Sequence, residues 1–311
     1  MTFLSLLSSL SCMSQVSGQS NSSEWQQYFS VKKLDFLSPE AFRSCSGAYS
    51  LSQLSSSYTG PIIKLTRSTD WTTSDFYPQT LNVQYSLVSG STTLSTWLNG
   101  ATGYVVVWYD QCGYGNHARQ SSTDYQPTID LVNNRVDFTA NYGYSFLDLP
   151  SGTVPMHLAY TVSTWHGDIN NSNGGWLGAG DTNGGNFFRR YGNNYLNSWF
   201  MNDFQLSGYG SGNVVTYRYD GALTYQYVNK NLQGTKNRKT WSGSGRNEVI
   251  GAAFRSNANL NEYLNGQLYS LFIFKSAIST DEREVVEYKA FNTVPALVQS
   301  VRTESYLQSV N

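Results

Sequence analysis

Charged side chains are scarce in this sequence. Of its 311 residues, Lys and Arg number 20 and Asp and Glu number 21, so charged residues make up 13% and the formal net charge is −1. About a quarter is usual for a globular protein. A nucleic-acid-binding surface needs clustered Lys and Arg to neutralise phosphates, and this composition therefore argues against a nucleic-acid partner.

Cysteine and histidine are also few, at three residues each. Zinc sites place these residues at short fixed intervals, and no such cluster occurs here, so we expect no metal or other cofactor. Cys12, Cys45 and Cys112 allow at most one disulfide. The sequence does not decide whether it forms, and a core of this size does not require one.

Long apolar runs are missing as well, so no membrane-spanning helix is predicted. The first ten residues have no Lys or Arg before their apolar positions, and serines interrupt them, unlike a secretory signal. We therefore expect residues 1–30 to be a Ser-rich N-terminal arm and residues 293–311 to be a polar C-terminal tail. Neighbouring protein subunits are the partners expected to hold these arms, because such segments are too polar to fold alone.

Aromatic residues are abundant, at 15%, with 23 Tyr and 8 Trp. Tyr, Trp, Thr and Val favour strands. From Ile62 onward, apolar and polar residues alternate in short runs bounded by Gly, Asn, Asp and Ser, which predicts strands. Asp220-Gly221 predicts a hairpin between two of them. The predicted strands are residues 62–67, 104–109, 158–165, 214–219, 223–228 and 268–274.

Two helices are predicted. Ser38 followed by Pro39 is a typical start for a short helix near the N-terminus. Ser279 and Glu282 form a capping box for a helix late in the chain. The apolar face of that helix is predicted to be Val285, Val286, Tyr288 and Phe291. Many short strands with one clear late helix predict an all-β fold, a jelly-roll β-sandwich over residues 31–292.

The strand ending at Trp108 runs into a turn dense in polar residues. The turn carries an acid, two amides and a histidine: Tyr109, Asp110, Gln111, Asn116 and His117. One interpretation is structural, since Asp and Asn side chains cap main-chain N–H groups in turns. A functional alternative treats His117 as a base. Asp110 also offers hard oxygen ligands for calcium, although no Asp-x-Asp-x-Asp loop accompanies it.

This turn carries a resemblance to a known family. Residues Tyr109 to Ala118 resemble the "YDQSGNGNHA" stretch of arabinofuranosidase B-type glycoside hydrolases and their phage, viral and bacterial relatives. Cys112 stands where Ser is usual, and Tyr114 where Asn is usual. The similarity extends over residues 45–120. Its other matching segments are residues 47–51, 58–61 and 67–70.

The C-terminal part resembles a laminin-G-like or concanavalin-like module. The similar segments are residues 219–221, 227–232, 264–274 and 277–279 with the helix that follows. Both resemblances imply the concanavalin-like fold of two curved antiparallel sheets, with a concave face that often binds sugar.

The arabinofuranosidase resemblance also implies two catalytic carboxylates, about 5–5.5 Å apart in a retaining enzyme. The matching stretches, residues 184–192 and 250–257, contain no Asp or Glu. Arg255 stands near the place of the acid, and arginine does not give up its proton near neutral pH. Asp181 and Glu262 are the fallback carboxylates. The sequence therefore leaves the enzyme question open and favours a chain without catalytic residues.

Candidate ligand-binding residues on the concave face combine aromatic planes with arginines, which suits neutral sugars. The alternative is that these aromatics belong to the core or to a protein interface. The candidates are Trp165, Trp176, Arg189, Tyr191 and Arg255.

The function favoured by the sequence is a non-catalytic structural or attachment component of a virion, of the minor capsid or decoration type, or of another surface assembly. Glycan binding fits the same interpretation. The alternatives are a lectin of a secreted or cell-surface protein, and a retaining glycoside hydrolase. The expected location is a virion or an extracellular surface.

Overall fold

The computed structural model describes residues 34–79, 87–154, 159–169, 174–181, 184–191, 195–199, 204–207, 213–237, 247–254 and 260–291. The predicted arm and the predicted tail both lie outside these residues. Among the described residues, most regular structure is antiparallel β-sheet. The fold is an all-β jelly-roll sandwich, which confirms the predicted class.

The strands of the first half are β1 (Cys45–Ser50), β2 (Ile63–Arg67), β3 (Thr73–Pro78), β4 (Leu87–Ser89), β5 (Thr92–Thr93), β6 (Gly103–Trp108), β7 (Ala118–Arg119), β8 (Thr128–Asp130), β9 (Arg135–Asp137) and β10 (Leu147–Leu149). Those of the second half are β11 (Tyr160–Ile169), β12 (Gly175–Asp181), β13 (Gly184–Tyr191), β14 (Tyr195–Trp199), β15 (Phe204–Ser207), β16 (Val214–Tyr219), β17 (Leu223–Val228), β18 (Asn231–Asn237), β19 (Asn247–Ile250), β20 (Ala253–Phe254), β21 (Leu260–Asn261) and β22 (Gly266–Phe274). The helices are α1 (Pro39–Ser44), α2 (Leu94–Leu98), α3 (Ala140–Gly143) and α4 (Thr280–Phe291).

The strands pair into two layers. The first layer has the order β1–β22–β11–β16–β17–β18. The second has the order β15–β14–β13–β12–β19–β10–β7–β6–β2–β3–β4–β5. Strands β8 and β9 connect them, because β8 pairs with β6 and β9 pairs with β22. β20 and β21 form a separate pair.

The main core cluster takes side chains from both layers, including Val162 of β11, Tyr217 of β16, Ile63 of β2, Trp108 of β6 and Leu177 of β12. Because strand side chains alternate between faces, each layer supplies every second residue to this core. A second cluster includes residues of α1, of the first layer and of α4, so a layer of helices covers the opposite face of β22.

Strand β22 shows why the most apolar predicted strand is central. Leu268, Leu271 and Ile273 belong to the main core, whereas the alternating Phe272 and Phe274 belong to the second cluster. All nine residues of the strand are buried. A strand covered on both faces must be apolar on both faces, which matches its sequence.

Local signals placed three features correctly. Ser38 caps α1, since its Oγ accepts the N–H of Ala41 at 3.2 Å. The capping box of α4 is confirmed, because the N–H of Glu282 donates to Ser279 Oγ at 3.2 Å and the N–H of Ser279 donates to the Glu282 carboxylate at 3.1 Å. The predicted hairpin is confirmed by the pairing of β16 with β17.

The predicted apolar face of α4 is wrong at two positions. Val285 and Tyr288 are exposed, and the buried residues include Arg283 and Glu287 instead. Arg283 Nη1 donates to Glu287 Oε1 at 2.6 Å, and its guanidinium lies 3.8 Å from the ring centroid of Tyr227. A buried charge is tolerated when it is paired in this way, so hydrophobicity alone misassigned the face.

Candidate functional site

The motif turn follows β6, and Asp110 is its buried acid. Asp110 is 1% exposed, and its Oδ1 accepts the main-chain N–H of Ala48 at 3.0 Å and of Cys112 at 2.8 Å. Burial is the largest influence on the pKa of Asp110 and raises it, while hydrogen bonds from main-chain N–H groups act in the opposite direction. Because Ala48 lies on β1, this carboxylate joins the end of β6 to β1.

Gln111 completes the connection to the chain after β1. It is fully buried, and its Oε1 accepts the N–H of Leu54 at 2.9 Å. Its Nε2 donates to the carbonyls of Ser50 and Ser52, each at 3.0 Å. Both ends of the amide are therefore occupied by main-chain groups, which leaves Gln111 no role toward a ligand.

Asn116 and His117 serve the main chain as well. Asn116 Nδ2 donates to the carbonyl of Ser46 at 2.7 Å, and the Tyr49 hydroxyl donates to the carbonyl of Asn116. The N–H of Asp110 donates to His117 Nδ1 at 3.1 Å, so this ring nitrogen carries the lone pair. The predicted capping of main-chain N–H groups is confirmed at Asp110, whereas Asn116 instead donates to a main-chain carbonyl.

Tyr109 connects the motif turn to strand β3 instead of β1. Its hydroxyl donates to Asp75 Oδ1 at 2.6 Å, and its ring meets the edge of the His117 ring at a centroid distance of 4.8 Å. Asp75 lies on β3, so Tyr109 connects the turn to the second layer. The motif thus joins β1, β3 and β6, three strands that are far apart in the sequence.

A disulfide joins Cys45 and Cys112, with a Cα–Cα distance of 6.3 Å and a sequence separation of 67 residues. This distance lies in the usual range for disulfides. The bond connects the first residue of β1 to the turn that Asp110 also holds. The sequence allowed this pairing among three cysteines, and only the spatial closeness of the two chain segments selects it.

The backbone positions of the fallback carboxylates Asp181 and Glu262 lie near opposite ends of β12. The N–H of Gly175, at the start of β12, donates to the carbonyl of Glu262 at 2.8 Å, whereas Asp181 is the last residue of that strand. Six residues of strand span about 20 Å. The two catalytic carboxyl groups are about 5–5.5 Å apart in retaining glycosidases and about 6.5–9.5 Å apart in inverting ones.

The structure places two of the predicted ligand-binding aromatics in the core instead of on an open face. Trp165 is 0% exposed and stacks between Tyr269 and Phe291 of α4, at centroid distances of 4.5 and 5.2 Å. Trp176 is also 0% exposed and stacks on His166 at 5.7 Å. Large aromatic planes bury the most apolar surface, so the same residue type serves cores and sugar sites alike.

Two of the three remaining predicted ligand-binding residues lie on β13, and the third lies outside the described residues. Arg189 and Tyr191 lie on β13, and Arg189 is paired with Gly175 across the sheet. Arg255 lies outside the described residues.

Glu248 on β19 is a second buried carboxylate, which the sequence analysis missed. It is 2% exposed, and its two oxygens accept the N–H groups of Gly152 at 2.6 Å and Val154 at 2.5 Å. Burial raises its pKa above the ordinary value, and the hydrogen bonds from main-chain N–H groups oppose this rise. In the sequence, the sign of this buried carboxylate is a charged residue directly before the apolar pair Val249-Ile250.

The raised pKa of Glu248 predicts a pH-dependent contribution to stability. Because the folded state holds the proton more tightly than the unfolded state, this contribution is present in full below the unfolded value of 4.5 and is lost as the pH rises through the raised pKa. Urea unfolding of the wild type and Glu248→Gln at several pH values measures it. The wild type should lose stability relative to the variant as the pH rises. A difference between the wild type and the variant that stays constant across the pH range would contradict this prediction.

Trp71 is a further residue that the sequence analysis missed. It lies in the turn between β2 and β3 with φ +58° and is 59% exposed. A left-handed conformation costs a residue with a side chain roughly 1–2 kcal/mol relative to the right-handed one. Its ring stacks on that of Tyr104, with a centroid distance of 6.0 Å and an interplanar angle of 9°. An exposed, strained aromatic is an uncommon combination in a turn.

In the described part of the chain, no group of three or more His, Cys, Asp or Glu residues is arranged to bind a metal ion. The acceptor oxygen Asp110 Oδ1, considered for calcium, faces N–H donors. Among the described helices, none is long and apolar enough to span a membrane.

Comparison with solved structures identifies the fold family. The chain is similar to a variant of a GH54 α-L-arabinofuranosidase soaked with 4-nitrophenyl α-L-arabinofuranoside (TM-score 0.65, 15% identity, 85% of this chain and 66% of that chain). It is also similar to an arabinofuranosidase complexed with arabinofuranosyl-α-1,2-xylobiose (0.63, 15%, 84% and 65%). A GH54 arabinofuranosidase soaked with a cyclic sulfate inhibitor gives a TM-score of 0.62 at 15% identity, over 85% of this chain and 66% of that one.

The chain therefore spans just under two thirds of the length of these enzymes. No protein-family profile matches it, and no curated protein does. The chain shares its all-β sandwich fold with these arabinofuranosidases, as the resemblance of the motif turn implied. At this identity the similarity establishes the fold alone.

Proposed function

We propose that this protein is a non-catalytic, glycan-binding module that acts as an attachment or structural component of a virion or another extracellular surface assembly. The observation that carries the proposal is how the motif turn is used. Its acid and amides are occupied by main-chain groups of β1 and of the chain after it, so they hold the fold together and are not free to act on a substrate.

The separation of the fallback carboxylates supports the same proposal. Asp181 and Glu262 lie near opposite ends of β12, too far apart to share one glycosidic bond. The buried acids Asp110 and Glu248 each accept main-chain N–H groups, and the buried Glu287 is paired with Arg283. A general acid must instead be within hydrogen-bond reach of the substrate oxygen that it protonates.

The proposed setting rests on composition and on the resemblance. A low charge content and a net charge of −1 suit a protein that packs against copies of itself or other subunits. The polar arms predicted at residues 1–30 and 293–311 supply segments that fold only against a partner. Phage and viral proteins are among the relatives that carry the motif turn. Full-length protein is therefore expected to sediment as an oligomer, and a monomer at all concentrations would contradict the assembly role.

Hydrolysis and binding assays test the central proposal. We expect the purified protein to bind oligosaccharides on a glycan array and to release no nitrophenol from 4-nitrophenyl α-L-arabinofuranoside above the buffer rate. The same assay is run on Asp181→Asn and Glu262→Gln. Release of nitrophenol that falls in either variant would overturn the proposal and establish the alternative, a glycoside hydrolase. A wild type that binds no glycan would remove the binding role.

A further inference from the structure

The turn between β2 and β3 presents Trp71 to solvent on a rigid frame. The N–H of Trp71 donates to the carbonyl of Arg67, and the N–H of Arg67 donates to the carbonyl of Thr72, each at 2.9 Å. Asp70 accepts from Arg67 Nε at 3.0 Å and from the Thr72 hydroxyl at 2.8 Å. The Arg67 guanidinium beside Asp70 holds the pKa of that carboxyl well below its usual range.

Further contacts fasten this turn to the second layer. Arg67 Nη1 donates to the carbonyl of Trp97 at 2.5 Å. The N–H of Ser68 donates to the carbonyl of Thr102 at 2.9 Å, and the N–H of Thr102 donates back to Ser68 Oγ at 3.1 Å. The turn therefore holds Trp71 in its left-handed conformation. The hydrogen bonds around the residue, and not contacts of its side chain with the core, offset the backbone strain.

Tyr104 is half-buried and lies against the exposed Trp71 ring. It lies on β6, where its neighbour Val105 belongs to the main core, so the Tyr104 side chain is on the opposite face. Tyr104 is paired with Thr66 across the sheet, and Thr66 with Thr73. The two rings are stacked at 9° from parallel, so Tyr104 supports the exposed Trp71 indole from one side, and we call this stacked pair the aromatic platform.

Polar groups border the platform on the same face. Lys64 lies two residues before Thr66 on β2, and its Nζ is 3.9 Å from Asp75 Oδ2, with about a third of each side chain exposed. Lys64 and Asp75 form a pair of balanced charge, and Asp75 Oδ1 also accepts the Tyr109 hydroxyl at 2.6 Å. Arg67 is likewise engaged, by Asp70 and by a carbonyl.

We propose that the aromatic platform of Trp71 and Tyr104 is a binding site for a neutral saccharide, in which the apolar face of one sugar ring stacks on the indole and Lys64 and Asp75 contact its hydroxyl groups. This inference rests on the proposed glycan-binding function and assigns it a location. A flat aromatic surface with a few polar groups at its border matches the two-sided chemistry of a sugar ring. Because Arg67 is occupied and the Lys64–Asp75 pair is balanced, the site favours uncharged sugars over acidic ones.

Substitution of Trp71 tests the platform without threatening the fold. Trp71→Gly and Trp71→Asn remove the indole, and both residue types adopt the left-handed conformation with less strain than Trp. We expect both variants to keep or raise the melting temperature and to lose at least tenfold in affinity for the neutral oligosaccharide that the wild type binds most strongly on a glycan array. Tyr104→Ala should weaken the same binding.

Tyr288→Ala is the matched control, since Tyr288 is also 59% exposed but lies on α4, outside the platform. It should bind with wild-type affinity. Glycan binding that survives unchanged in both Trp71 variants would overturn the location and leave the proposed function standing. A wild type without glycan binding overturns both. Stronger binding to sialylated than to neutral oligosaccharides would contradict the proposed ligand class.

Discussion

Replacing Asp110 with alanine is expected to lower the free energy of unfolding by about 2–6 kcal/mol, because the buried N–H groups of Ala48 and Cys112 lose their acceptor at roughly 1–3 kcal/mol each. Asp110→Asn retains one acceptor oxygen and should cost less. Urea unfolding measures both. The exposed Asp124→Ala is the control and should change stability by no more than about 0.5 kcal/mol.

This result would also separate the two interpretations of the motif turn. Substituting an acid that has a structural role lowers the stability of the protein. Active-site acids are often destabilising to the fold, so removing one leaves the stability of the protein unchanged or raises it. Wild-type stability in Asp110→Ala would therefore contradict the structural role that its hydrogen bonds indicate.

Cys112→Ser is expected to lower the free energy of unfolding by about 2–4 kcal/mol, because it frees a loop of 67 residues in the unfolded chain. Serine is the residue usual at this position in the resembling family, so its size and polarity suit the turn. The effect should disappear when both proteins are unfolded in a reducing buffer.

Two controls make this prediction specific. Cys45→Ser should match Cys112→Ser, since either removes the same bond. Cys12→Ser should behave like the wild type, because Cys12 is not part of it. Equal stability of wild type and Cys112→Ser in oxidising buffer would show that the bond contributes nothing to stability.

The fold could be predicted well from the sequence because the sequence patterns that specify it are local. Alternation along residues 214–219 and 223–228 and the turn residues Asp220-Gly221 specify a hairpin without reference to the rest of the chain. The capping box of Ser279 and Glu282 likewise acts within one helical turn. Each such pattern was confirmed as β16, β17 or α4.

The candidate site was harder to predict because burial depends on what covers a residue. Trp165 follows the alternation of an exposed sheet face, but α4 packs on that face and buries it. Trp71, in contrast, has no periodic context at all and is exposed. Both residues are tryptophan. Only the packing of distant segments decides which of the two side chains is in the core and which is accessible.

By itself, the sequence determined the all-β class, the order of strands and turns, the late helix and the family resemblance of the motif turn, because periodicity and turn chemistry act between neighbouring residues. The tertiary structure decided the pairing of Cys45 with Cys112, the main-chain role of Asp110 and the distance between Asp181 and Glu262. Those features depend on which strands lie side by side and in which register, and these contacts join residues that are far apart in the chain.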